Sequence, residues 1–200
     1  VELSEAIRQR RMQRSFSDAA VDKAVLESLL DTALRAPSAG FSQGVDLLVL
    51  EDAASRVRFW SCASDLAWRA GARARALLAA PVVVVPVADP EAYVARYAAP
   101  DKASSDLAGR PADRWDVPYW TVDASFVVMQ LLLAVTDANL GALFFRIHGD
   151  PDALLDAFGV PRGRLVVGAV AIGHPDDTAG SRPQRRRRRP SGDAVHRDRW

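Results

Sequence analysis

The sequence predicts an α+β fold: a small, mainly antiparallel sheet enclosed by helices. Four short apolar runs (47–50, 81–86, 141–147 and 165–172) lie at irregular spacing among six or seven helical segments, which argues against a regular βαβ array. One of them, Pro81-Val82-Val83-Val84-Val85-Pro86, is β-branched between its prolines, the composition of a strand covered on both faces. The most apolar stretch, Phe126–Leu140, is interrupted by Gln130, Thr136, Asp137 and Asn139. A membrane span needs about 20 nearly uninterrupted apolar residues, so this stretch reads as a buried core helix.

In chain order, residues 3–12 read as a first helix with Leu3, Ala6 and Ile7 on its apolar side, broken by Ser15-Phe16-Ser17-Asp18. Asp22 caps a second helix over 23–36, whose stripe is Val25, Leu26, Leu29, Leu30, Ala33 and Leu34. Pro37 stops it, and 37–44 is a loop of small residues before the 47–50 strand. Residues 52–60 and 64–79 are helical, followed by the 81–86 strand and a short helix over 91–97. Residues 98–118 lack periodicity, and loops of this length are usually functional or mobile. The core helix, 121–139, leads into the 141–147 strand. Asp150 caps a helix with Pro151 in its first position, and 165–172 is the last strand.

The length suits one compact domain, or one domain plus arms that wrap a partner, and the composition divides into 1–175 and an Arg-rich arm over 176–200. Net charge is only +1, so basic character is local, in one cluster near each end, which argues against a general nucleic-acid binder. A single cysteine, Cys62, excludes an internal disulfide and a cysteine-cluster metal site. His148, His174 and His196 lack ligand spacing, so no metal is expected. The lone cysteine is compatible with a cytoplasmic protein, and without an N-terminal apolar segment no secretory signal is expected.

The densest chemical signal is Arg8-Gln9-Arg10-Arg11-Met12-Gln13-Arg14. If the helix persists, Arg10 and Arg14 stack one turn apart, and such like-charge pairs cost a few tenths of a kcal/mol. An anion offsets that cost, and a phosphate, with roughly −1.5 to −2 charges, suits arginine forks. The alternative is a solvated basic turn.

Taken in order, the motifs resemble the nitroreductase-like family of flavoproteins. The match begins at Arg10-Arg11-Met12-Gln13-Arg14-Ser15-Phe16 and runs through Leu29-Leu30 and Ala33 into Arg35-Ala36-Pro37-Ser38-Ala39-Gly40-Phe41-Ser42-Gln43. It continues with Glu51-Asp52, Pro81-Val82-Val83-Val84, Leu140-Gly141-Ala142-Leu143, Gly159-Val160-Pro161 and Ala169-Val170-Ala171-Ile172-Gly173. It closes on the arginine run ending at Pro190 and on Val195-His196.

The resemblance implies a nitroreductase-like fold: a mixed, mainly antiparallel sheet of four strands plus one supplied by the partner, in an intertwined homodimer with FMN at the interface. It implies electron transfer from NAD(P)H through the flavin to a small planar acceptor such as a nitroaromatic or quinone. The chemistry is then carried by the flavin, with no catalytic acid or nucleophile. By position, Arg10 and Arg14 fall to the phosphate and pyrimidine edge, with Arg11 and Met12 lining the same turn. Pro37, Ser38, Ala39 and Phe41 of the partner lie along the ring. Arg186 and Arg188 approach the phosphate, Arg75 is a further basic residue, and Arg146 and Ile147 lie on the strand exit facing flavin N5. Met12 stands where the family usually has Ser or Thr, and Phe41 where it usually has Asn.

For the acceptor, Phe41, Tyr119 and Trp120 could stack a planar ring, with Tyr93 and Tyr97 on one helical face beside them. Tyr119 and Trp120 could equally cap the core helix, and Tyr93 and Tyr97 could equally pack the core. Two other functions stay open from the sequence: a specialised flavin-dependent dehydrogenase or flavin-processing enzyme, and a polyanion-binding module using both arginine clusters.

Overall fold

A computed structural model describes residues 2–176 and 188–199. Its order is α1 (Leu3–Gln9), α2 (Lys23–Ala33), β1 (Val45–Leu50), α3 (Ala53–Ala63), α4 (Leu66–Ala70), α5 (Ala72–Leu78), β2 (Val82–Ala88) and α6 (Pro90–Tyr97). Then come α7 (Tyr119–Asp137), β3 (Gly141–Phe145), α8 (Pro151–Ala157), β4 (Leu165–Val166) and β5 (Ala169–Gly173). Short 3-10 turns at Ala39–Phe41, Pro100–Lys102, Ala112–Arg114 and Ser191–Asp193 complete the described elements.

The sheet runs β1-β2-β5-β3, with β4 also on β2, and all these pairings are antiparallel. A parallel bridge from Met12 to Ala142 makes it mixed. β2 is central, and all seven of its residues are buried. Its side chains alternate as the strand period requires. Val83, Val85 and Val87 enter one core with Phe59, Trp60, Leu77, Leu154 and Leu155, beneath α3, α5 and α8. Val82 and Val84 enter the other with Leu26, Leu29, Val127, Leu131 and Val135, beneath α2 and α7. The molecule is therefore helices, sheet, helices, and α7 is the core helix its apolar sequence predicted.

The run 165–172 is one strand by sequence and two in the structure. β2 residues 82–84 face 172–170, whereas 87–88 face 166–165, so three steps along β2 match four along its neighbour. The extra residue makes a bulge. Gly168 sits in it at φ 147, and a Cβ there would lie 2.7 Å from the Phe145 carbonyl oxygen. On β2 the bulge faces Pro86, which has no N–H to offer a ladder.

Asp22 and Asp150 cap α2 and α8 as expected, accepting the N–H of Val25 at 3.0 Å and of Asp152 at 2.9 Å. The single helix expected over 64–79 is broken at Gly71, which is extended (ψ 151) and separates α4 from α5. The segment 98–118 is irregular but anchored. Trp115 is buried, its indole N–H donates to the Arg110 carbonyl at 3.2 Å, and its ring meets Tyr97 and Trp120.

Candidate functional site

The basic segment leaves the helix sooner than its sequence suggests. α1 ends at Gln9, and Arg10 has already left the helical conformation (φ −53, ψ 118). Tertiary bonds replace the helical ones: Gln13 N–H donates to Ala142 at 2.8 Å, Phe16 N–H to Ala76 at 3.0 Å and Ser17 N–H to His174 at 3.0 Å. Gln13, Ser15 and Phe16 are buried against the sheet. Arg10 and Arg14 are thus not one helical turn apart. Met12, between them, makes a parallel bridge to Ala142, so this basic strand is a single bridge at the sheet edge, and the Met12 side chain packs against both cores while Arg14 is exposed.

Arg14 is exposed and its guanidinium donates to the Met12 carbonyl at 3.2 Å. Arg10 is half-buried, and its Nη1 is buried with no hydrogen-bond partner among the described residues. A buried unpaired guanidinium nitrogen is costly and marks a place where an anion or acceptor would fit. Arg75 projects from α5, the helix whose Ala76 holds Phe16, and donates to Ala70 at 2.8 Å. Arg11 and Arg146 are exposed, while Ile147 is buried beyond the end of β3. Arg188 is exposed, and Arg186 lies outside the described residues.

The second group forms around the turn after α2. Pro37 is exposed, and Ser38 and Ala39 are half-buried. Within the turn, Phe41 N–H donates to Ser38 at 2.9 Å, Ser42 N–H to Ala39 at 3.1 Å and Gln43 N–H to Ser38 Oγ at 3.0 Å. Gly40, Phe41 and Gln43 are all left-handed, at φ 62, 58 and 50. For a bulky residue such as Phe41 that is a strained conformation, about 1–3 kcal/mol, held by its surroundings. The residue is nevertheless 74% exposed. A cavity of about 290 Å³ opens beside the turn, lined by Leu34, Pro37, Ser38, Gln43, Asp123 and Val127 among others.

Of the predicted acceptor residues, Tyr93 is fully buried and donates to Asp123 Oδ2 at 2.7 Å. Trp120 is buried against it, ring centroids 6.1 Å apart. Tyr97 and Tyr119 are half-buried and pack edge-on against Trp115. These rings form the floor under the 37–43 turn, leaving Phe41 as the outward aromatic among them. Sequence reasoning missed Asp123 and Arg96. Asp123 was visible only as an acid near the start of an apolar helix, and Arg96 as one more helical arginine.

The two groups sit towards opposite ends of α7. The turn is tied to Asp123, near its N-terminus, whereas the basic strand is tied to Ala142, just beyond its C-terminus. Asp123 and Asp137 are separated by about 21 Å along the helix axis. Between them runs a groove of about 530 Å³ lined by Leu3, Ala6, Pro37, Phe126, Met129 and Leu133 among others.

The Nitroreductase family profile matches residues 7–174. The chain belongs to the Nitroreductase family. As a member of it, the chain is 25% identical over 194 residues to a protein of Archaeoglobus fulgidus provisionally named NADH dehydrogenase/NAD(P)H nitroreductase, covering 96% of this chain and 94% of the relative. Its fold superposes on a nitroreductase family protein from Streptococcus pneumoniae with a TM-score of 0.73, at 19% identity, covering 98% of this chain and 100% of the other. It superposes at 0.72 on a Desulfovibrio desulfuricans structure described as a nitroreductase in complex with FMN, at 22% identity and 100% and 98% coverage. The Nitroreductase profile begins inside α1 and ends at His174, so it spans the basic strand, the turn and the whole sheet.

Proposed function

We propose that this protein is a homodimeric, FMN-dependent oxidoreductase of the cytoplasm that takes electrons from NAD(P)H and delivers them to a planar organic acceptor, such as a nitroaromatic or quinone. The observation that carries the reading is Arg10, whose buried Nη1 lacks a partner among the described residues, next to a segment joined to the sheet by the Met12–Ala142 bridge and the Gln13 N–H. A flavin phosphate or the pyrimidine carbonyl edge supplies the missing acceptor. Family membership and the FMN complex of the Desulfovibrio relative support the same ligand.

When bound, the flavin supplies the two-electron hydride chemistry. The chain binds, orients and shields it. Arg10 and Arg14, with Arg75 on α5, would supply positive charge to the phosphate, and Arg11 and the Met12 backbone would border it. Ile147 and the backbone around Arg146 form the neighbouring strand exit. Pro37, Ser38, Ala39 and Phe41 present a mostly apolar surface that suits an aromatic ring and excludes water. Arg186 and Arg188 of the arm would add charge to the phosphate end.

This arrangement calls for a second copy, because the basic strand and the turn sit towards opposite ends of α7 within one chain. A two-fold axis across the apolar groove would bring the turn of one subunit to the basic strand of its partner. The groove's exposed Leu3, Phe126 and Met129 have the character of such an interface.

The test is an absorbance spectrum of freshly purified protein, before and after addition of FMN and desalting. Flavin bands retained at close to one per chain are expected. A colourless protein that fails to hold added FMN overturns the reading.

A further inference from the structure

Two side chains of opposite sign close on the peptide groups that flank a single turn. Asp123, buried on α7, accepts the Ala39 N–H at 2.8 Å through Oδ2. Arg96, half-buried on α6, donates through Nε to the Gly40 carbonyl at 2.7 Å. The carbonyl between them, that of Ala39, is taken inside the turn by the Ser42 N–H at 3.1 Å and hydroxyl at 2.6 Å. The Tyr97 ring closes the remaining side, where a Cβ on Gly40 would lie 2.8 Å away.

Neither anchor stands alone. Tyr93 donates to the same Asp123 oxygen at 2.7 Å. Arg96 is held by Asp101 through Nη1 and Nη2 at 2.8 and 2.7 Å, a two-pronged pair that fixes the guanidinium plane. The product of this scaffold is an exposed phenyl ring in a left-handed conformation that phenylalanine disfavours. A turn free to relax would lose that conformation, and the direction of the ring with it.

We infer that Asp123 and Arg96 are positioning residues that fix the 38–43 turn so that Phe41 stands outward as the aromatic wall of the acceptor site. The inference rests on the function proposed above and adds how its specificity is set. Through Asp101, the same clamp ties the acceptor wall to the 98–118 segment.

Hydrogen exchange followed by mass spectrometry on peptides covering 37–45 tests the clamp whether or not flavin is present. Arg96→Gln and Asp123→Asn are expected to speed exchange there about tenfold, with β2 peptides unchanged. Arg96 is partly exposed and its replacement leaves the cores intact, so it serves should Asp123→Asn fail to fold. On flavin-loaded protein, a cycle of Arg96→Gln and Phe41→Ala is then read with NADH and menadione as a planar quinone. Each single change is expected to raise the quinone KM about five- to tenfold, more than it lowers kcat, and the double variant to be no worse than the poorer single one. Unchanged exchange at 37–45, or additive KM effects, overturns the inference. If wild-type protein holds no flavin, the proposed function falls, and the exchange comparison alone decides the clamp.

Discussion

Tyr93 and Asp123, thirty residues apart in sequence, meet inside the molecule, the phenol donating to the carboxylate at 2.7 Å. The same oxygen takes the Ala39 N–H at 2.8 Å, so one buried atom joins α6, α7 and the turn after α2. Asp123→Ala leaves both donors without an acceptor, each at about 1–3 kcal/mol. We expect a loss of about 3 kcal/mol or more in urea unfolding. Tyr93→Phe removes only one bond to a charged group and should cost about 1.5–3 kcal/mol. Equal, small effects from both would show that the cluster carries little stability.

The same pair makes a pH prediction. Burial first, and then hydrogen bonding to Asp123, push the Tyr93 phenol well above its ordinary range. The folded protein therefore keeps this proton after the unfolded chain has lost it near pH 10. The resulting stabilisation is complete below about pH 10 and is lost as pH rises beyond it, by at most about 1.4 kcal/mol per unit. Urea midpoints measured between pH 8 and 11 should fall more steeply for wild type than for Tyr93→Phe. Parallel slopes would contradict the assignment.

Gly168 offers a test of the bulge. Alanine there combines a disfavoured φ of 147 with a Cβ 2.7 Å from the Phe145 carbonyl oxygen, which is backbone and cannot swing away. Strain and overpacking together predict a cost of about 2–5 kcal/mol. Gly159→Ala, at φ 67 with nothing near, should cost only about 1–2 kcal/mol. Similar thermal melts for the two variants would mean that the bulge relaxes freely.

What the sequence made legible is what local pattern decides. β2 was readable up to Pro86 because four β-branched residues between prolines favour a strand covered on both sides, whereas its continuation through Pro86 to Ala88 was not, since Pro86 looks like an end until the bulge opposite it is known. Asp22 and Asp150 were readable because a cap acts on residues two or three places away. The end of α1 was not readable, because the Ala142 carbonyl that captures Gln13 lies far along the chain. The bulge needed the register of three strands. Asp123 and Arg96 gain their roles from a turn more than fifty residues away, and nothing beside them in the sequence announces it.

The outward stripe of α7 tests the proposed dimer. Phe126 and Met129 are 46% and 42% exposed one turn apart on a helix whose other face already packs on the sheet, and Leu3 beside them is 66% exposed. A helix apolar on both faces needs a second cover. Phe126→Asp with Met129→Lys should convert a dimer to a monomer in sedimentation at micromolar concentration and lose bound FMN with it. A dimer that survives both changes would place the interface elsewhere.

Arg10 separates ligand binding from folding. Its buried Nη1 is unsatisfied among the described residues, so without ligand it is a cost to the fold. Bound to a flavin anion it becomes a charge-assisted donor, worth about 1.5–3 kcal/mol. Arg10→Ala should therefore weaken FMN binding by about 10- to 150-fold while leaving the flavin-free protein as stable as before, or slightly more so. Arg14→Ala should weaken FMN binding by a similar amount with no gain in stability, because Arg14 is exposed. Arg197→Ala, exposed in the arm, should do little to either quantity. Fluorescence titration with FMN and urea unfolding of the apoprotein measure the two effects separately. If Arg10→Ala destabilises the apoprotein as much as it weakens FMN binding, the guanidinium serves the fold, and the flavin anchor lies elsewhere on the strand.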